Sequence, residues 1–169
     1  MKGHCELIEA FAQTFAGQPY VSLRIAGDGR LHDELQTQIT SRGLESQVSL
    51  LGRLSRTEVH REIRSSHCLL LTSHYETFGV VLIEALALGR PVIASMCGGP
   101  ECIVDDSNGL LVPPSDVAAL AHAMKIMKQN IRNYDCSAIR RDVLKRFGRQ
   151  RLLTDLNAAY QQCLGQNQP

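Results

Sequence analysis

The chain lacks the usual spacings of a metal site. Its six histidines never fall into H-x-x-x-H, no C-x-x-C occurs, and no aspartate-rich motif is present, so no zinc-type or aspartate-held metal is expected. The six cysteines are Cys5, Cys68, Cys97, Cys102, Cys136 and Cys163. A chain of 169 residues is neither small nor cysteine-dense at that count, so reduced thiols in a cytoplasmic protein are expected rather than a disulfide framework. Long apolar runs are missing too. Val80–Ile83 stops at Glu84, far short of the ~20 residues that cross a bilayer, and Met1-Lys2-Gly3 shows no apolar signal region. Charge of one sign is not in excess. Eighteen Lys and Arg oppose 17 Asp and Glu, a net of +1, which gives no general pull toward nucleic acid or anionic lipid. Any bound anion must be held by local groups. Repeats, low-complexity stretches and interdomain linkers are absent, and 44% hydrophobic residues suffice for one core. The expectation is one domain over residues 1–164 with a polar, fraying tail at 165–169.

What is present is alternation. Leu7, Ile8, Phe11 and Phe15 predict a helix over 4–15. A β-type run at 21–26 ends at Gly27-Asp28-Gly29, and a helix over 31–41 follows. After a strand at 48–51, Ser55 with Glu58 three residues on makes a capping box for a helix to about Arg64. The apolar strand 68–71 suits a sheet covered on both faces. A helix over 78–88 with Thr77 as N-cap, strands at 91–95 and 109–112, and helices at 116–128, 137–145 and 147–163 complete the pattern. This is an α/β fold, a Rossmann-like doubly wound parallel sheet with helices on both faces. It is expected to lack its first strand, because the chain opens directly on a helix. Strands 21–26 and 68–71 would then lose a shared neighbour at a cost in unpaired backbone groups, so a truncated chain or one that requires a partner is expected. Ligands bind outside the carboxyl ends of such strands, which singles out Gly27–Gly29, Gly52–Leu54, Ser73–Gly79 and Cys97–Glu101.

Glu84 lies among Val80, Val81, Leu82, Ile83, Ala85, Leu86, Ala87 and Leu88. A helix apolar all round is expected to be buried, and a carboxylate inside it needs donors or a cation. Ribose hydroxyls would match its two oxygens; an arginine on a neighbouring element is the alternative. Glu76 precedes the same helix, and a solvated loop acid is its plain reading. The free N–H groups of Phe78, Gly79 and Val80, aided by the helix dipole, make an anion site. Eight positions of helix span ~12 Å, comparable to a pyrophosphate bridging two sugars. His74 and Tyr75 flank this segment as packing or rim residues.

Glu76 to Glu84 forms an E-x7-E pattern. The wider stretch E-T-F-G-V-V-L-I-E-A-L-A-L-G-R-P-V-I-A, then C-G-G-P-E and N-G-L-L-V-P-P, resembles retaining GT-B glycosyltransferases of the glycosyl transferases group 1 type. Lys2-Gly3 and A-G-D-G at 26–29 fit in order, and the resemblance is to that family's C-terminal domain. It implies that Glu84 binds the donor ribose, that Glu76 lies by the donor sugar, and that Phe78, Gly79 and Val80 face the pyrophosphate. Lys2 would neutralise the phosphates as the end of an R-x-x-x-x-K-G pattern whose arginine is absent; a terminal solvent-exposed lysine is its alternative. Gly52, Arg53 and Leu54 would line the nucleobase pocket through backbone, and Gly98-Gly99 would permit close approach to the donor or form a turn. Gly27-Asp28-Gly29 reads as a tight turn. The implied partner is a nucleotide sugar, UDP- or GDP-linked, with no further cofactor and no metal. The implied setting is cytoplasmic polysaccharide or glycoconjugate synthesis. The acceptor-binding N-terminal domain is absent from this chain, so it would be inactive alone, with any peripheral membrane contact made through that half. The alternatives are a non-catalytic nucleotide-binding or assembly module and a GT-B-fold epimerase or phosphorylase.

Overall fold

The computed structural model describes residues 2–165; of the tail proposed at 165–169, Gly165 ends a helix and 166–169 lie outside the described residues. In chain order the elements are α1 (His4–Phe15), β1 (Leu23–Ala26), α2 (His32–Ser41), β2 (Val48–Gly52), α3 (Arg56–Ser65), β3 (Leu69–Leu71), α4 (Val80–Ala87), β4 (Val92–Ser95), β5 (Gly109–Val112), α5 (Val117–Asn130), α6 (Cys136–Phe147) and α7 (Arg149–Gly165). The alternation read from the sequence is the alternation found. The turn at Gly98 feeds a one-turn 3-10 helix at Gly99–Cys102, a short helix the sequence allowed; a second at Ile131–Asn133 was not anticipated. No described helix is long and apolar enough to cross a membrane.

All pairings are parallel, but the strands form two sheets. β1 pairs with β2, and β3, β4 and β5 form the second sheet in that order. No described strand pairs with both β1 and β3, which is where the sequence placed a missing neighbour. Side-chain parity explains the layers. Along β4, Ile93 joins the core built by α1, α2 and α5, while Val92 and Ala94 join the core built by α3, α4 and α6. Leu70 and Leu110 follow Ile93; Leu69, Leu71 and Leu111 follow the other set. Every strand of this sheet is therefore covered on both faces, which is why an unbroken apolar run occurs there. On β1, Leu23 and Ile25 face the first core, while Arg24 turns outward and forks onto Glu62 of α3 at 2.6 and 3.1 Å.

The helix starts follow local chemistry. Ser55 and Glu58 close the expected capping box on α3, and Asp116 and Asp135 cap α5 and α6. α1 buries Leu7, Ile8, Phe11 and Phe15, the stripe that predicted it. α7 differs: its described side chains from Arg151 to Leu164 are exposed.

Gln47 is a structural residue that the sequence did not reveal. It is buried, its Nε2 donates to the carbonyls of Phe15, Gln18 and Val21 at 2.9–3.0 Å, and its Oε1 accepts from Gly17 N–H at 3.1 Å. One amide thus holds the whole α1–β1 connection. Gln47→Ala removes all four bonds; Phe15 O and Gln18 O keep backbone donors, whereas Gly17 N–H and Val21 O lose their partner, and the change is expected to cost about 3 kcal/mol. Urea unfolding of the variant checks this; a change under ~1 kcal/mol would remove Gln47 from the account.

Candidate nucleotide-sugar site

Parallel strands bring their carboxyl ends to one edge, and the residues that follow them meet there. After β3 comes Thr72, whose hydroxyl donates to the carbonyls of Lys2 and Gly3 at 3.1 Å. Gly3 has φ +68°, and a Cβ on it would lie 1.9 Å from Thr72 O, so only glycine permits this approach. The contact delivers Lys2 to the site. Its Nζ donates to Glu76 Oε2 at 3.0 Å, with the lysine side chain 62% exposed and the glutamate 19%.

Glu76 is tied by backbone as well. It forms an isolated parallel bridge with Gly98, donates its N–H to Cys97 O, and accepts Gly99 N–H at 2.8 Å. The loop after β3 is thereby stitched to the loop after β4. Gly99 packs against the backbone of Phe78; a Cβ there would lie 2.3 Å from Phe78 Cα and 2.4 Å from its nitrogen. Gly98 N–H donates to both carboxylate oxygens of Glu101 at 3.1 Å, so Glu101 fixes the loop.

α4 begins two residues later than expected. Its N-cap is Gly79 in the left-handed conformation, not Thr77, and no side chain caps it. Its first-turn N–H groups have no helical partner by geometry. Val80 stands 61% exposed beside Phe78 at 42% and Tyr75 at 72%, so the uncapped end opens to solvent. The expectation that α4 is buried on nearly every side is corrected here. Only Leu82, Ala85 and Leu86 are buried; the helix lies on a rim and shows one flank to solvent.

Glu84 occupies that flank. Its side chain is 25% exposed, and the ionisable group beside it is the His60 imidazole of α3, with Nε2 at 3.7 Å, beyond hydrogen-bond range. No described arginine pairs with it. His60 was not anticipated, since nothing in the α3 pattern distinguishes it. α3 is entered through Gly52, Arg53 and Leu54, with Gly52 at φ +65° and its carbonyl accepting Gly27 N–H at 2.8 Å. The β1 and β2 turns are therefore joined, and Glu84 faces the helix that the Gly52–Leu54 loop starts. Lys2, Glu76, Phe78, Gly79, Gly98 and Gly99 form one directly contacting group. Glu84, His60 and Gly52–Leu54 form a second, linked to the first through α4.

Local charge follows this layout. Burial first, then the Lys2 ammonium, holds the His4 imidazole below its ordinary value, with Glu6 opposing. Burial first, then Glu101 and Glu76, raises the Cys97 thiol. His74 Nε2 lies 2.8 Å from Glu6 Oε1 at the edge of the same region. Farther off, burial pushes the Cys68 thiol up to about 11. A raised thiol pKa means less thiolate at any given pH. At pH 8 a thiol reagent is expected to label exposed Cys102, Cys136 and Cys163 promptly and Cys68 only on unfolding. Fast labelling of Cys68 in the folded chain would contradict this.

The fold is that of the C-terminal domain of GT-B glycosyltransferases. HepE of Anabaena, solved with UDP-glucose, superposes with a TM-score of 0.78 at 29% identity over 93% of this chain and 45% of its own. The C-terminal domain of a group 1 glycosyltransferase (LpcC) from Francisella tularensis superposes at 0.75 and 29% identity, over 86% of this chain and 79% of its own. The chain belongs to the glycosyl transferases group 1 family, whose model matches residues 1–149. Glycogen synthase of Mycobacterium tuberculosis is 32% identical over 157 residues, 92% of this chain and 36% of the relative. The chain spans well under half the length of the curated relatives it matches, 36% for this one and 12% for an exopolysaccharide phosphotransferase of Streptomyces coelicolor.

Proposed function

We propose that this chain is the donor-binding domain, over residues 1–164, of a retaining glycosyltransferase that transfers a sugar from a nucleoside diphosphate to an acceptor. The uncapped, solvent-open start of α4, flanked by Lys2 and Glu76, carries this reading. The diphosphate sits on the Gly79 and Val80 amides, with Phe78 beside it, where the helix dipole and free N–H groups favour anions. The ribose hydroxyls reach Glu84, and the base lies over Gly52, Arg53 and Leu54. Glu76 lies by the donor sugar, and the Gly98-Gly99 backbone lets that sugar approach. UDP is the base we favour, because UDP occupies HepE in its solved complexes; GDP is the other candidate.

The protein's task in this reaction is to stabilise charge on the leaving diphosphate as the sugar–oxygen bond breaks. Lys2 and the α4 amides do so without a metal. Lys2 must then turn from Glu76 toward the phosphate. The cost is small, because an exposed ion pair is worth no more than about 1 kcal/mol. The acceptor site belongs to an N-terminal domain outside this chain, as does any contact with a membrane surface. The isolated chain is therefore expected to bind donor without turning it over, and the setting we propose is the cytoplasm.

A thermal-shift panel with UDP, GDP, ADP and their sugars tests this. One nucleotide series should raise the melting temperature saturably, and Lys2→Gln should weaken that series about tenfold by removing one charge-assisted contact. No stabilisation by any of them would overturn the reading.

A further inference from the structure

We propose that the cavity at the amino ends of β3 and β4 is a second anion site, built to hold a phosphate or diphosphate group. It encloses about 600 Å³, and His67, Arg90, Lys128 and Arg132 are among the eight residues that line it. His67 precedes β3 and Pro91 precedes β4, so this cavity lies at the opposite end of the strands from Glu76 and Glu84. No carboxylate lines it. The chain as a whole carries a net charge of only +1, so four basic side chains around one hollow are a local arrangement and not a general surplus.

Arg90 is the anchor. Its Nη2 donates to Arg64 O at 2.6 Å, which fixes the guanidinium at the end of α3. Its Nε is buried with no hydrogen-bond partner. That nitrogen is sealed from solvent, so a ligand oxygen in the hollow would be met by the outer guanidinium nitrogens of Arg90 and not by Nε. Arg132 sits on the one-turn helix Ile131–Asn133 just past α5, and no described acid pairs with Arg90, Arg132 or His67. The nearby Asp135 spends its carboxylate on the Ser137 and Ala138 amides. Lys128 already donates to Gln18 Oε1 at 2.6 Å and lies over the Phe15 ring, so it supplies field at the rim.

Basic residues at helix C-termini also offset the helix dipole. That accounts for Lys128 in the last turn of α5, but not for Arg132 beyond the helix end. Arg90, through its outer nitrogens, and Arg132 line the same hollow, and guanidinium N–H groups suit phosphate oxygens. A soluble phosphorylated metabolite and a phospholipid headgroup share this chemistry.

The test uses the 169-residue chain, ¹H–¹⁵N spectra and inorganic pyrophosphate as probe. Saturable shifts are expected at His67, Arg90 and Arg132. Arg132→Gln, at an exposed turn that should leave the fold intact, is expected to weaken them about tenfold. Arg90→Gln should do the same, and neither should change the response of Gly79 and Val80. Sedimentation with phosphatidic acid vesicles separates the sources. Arg132-dependent pelleting assigns a lipid headgroup; pyrophosphate binding without pelleting assigns a soluble ligand. Shifts confined to Gly79 and Val80, or neither saturable shifts at the cavity nor Arg132-dependent pelleting, would overturn the proposal.

Discussion

Glu84→Ala is expected to lower affinity for a nucleoside diphosphate sugar about a hundredfold while leaving the fold intact. Each hydrogen bond to a charged acceptor contributes about 1.5–3 kcal/mol, and two ribose hydroxyls on one carboxylate together reach two decades of affinity. The structure makes the substitution clean. The carboxylate has no close described partner, only His60 at 3.7 Å, so its removal orphans nothing in the free chain. Isothermal titration calorimetry of the wild type and Glu84→Ala measures the effect. His60→Gln is the control for the neighbouring ring and is expected to shift affinity by less than tenfold. Equal affinities for wild type and Glu84→Ala would remove the ribose contact from the account.

Gly99→Ala is expected to be among the most damaging single-methyl changes in the site. The added carbon would meet Phe78 Cα at 2.3 Å, its nitrogen at 2.4 Å and its carbonyl carbon at 2.6 Å, all backbone atoms with no rotamer to yield. The loop after β4 must then move away from Phe78. That move breaks the Gly99 N–H to Glu76 O bond and pulls Glu76 from its bridge to Gly98. Overpacking of this kind costs about 1–3 kcal/mol, which for a chain of this size lowers the melting temperature by roughly 2–12 °C. Donor binding should fall further than stability does, because the displaced segment carries the α4 amides. Calorimetric melting and donor titration of the same variant separate the two effects. Normal melting together with normal donor affinity would show that the loops are not coupled as described.

The element order was legible because each element announced itself locally. Apolar spacing marked α1, the Ser55–Glu58 pair marked α3, and the unbroken apolar runs marked β3 and β4. Glu76, Glu84 and the glycines were legible because a carboxylate in an apolar helix and a doublet of glycines after a strand conflict with plain core packing. The burial of α4 was misjudged for a physical reason. Residue type gives hydrophobicity, but exposure depends on whether another element covers the flank, and nothing described covers Val80 or Glu84 completely. The N-cap of α4 moved from Thr77 to Gly79 because the Gly99 packing and the Glu76 bridge hold the preceding residues out of the helix. His60 and Gln47 were invisible. Their roles arise from contacts across 24 and at least 26 positions of chain, and neither lies in a local pattern. The sheet parts into two where the missing first strand was expected, since pairing requires a strand between β1 and β3 and none is described there.

The most direct measurement is a crystal structure of the chain grown with saturating UDP. The account predicts diphosphate oxygens accepting from the Gly79 and Val80 N–H groups, Lys2 turned from Glu76 toward them, and both ribose hydroxyls donating to Glu84. Nucleotide bound elsewhere, with Lys2 still on Glu76 and Glu84 facing only His60 and water, would contradict it.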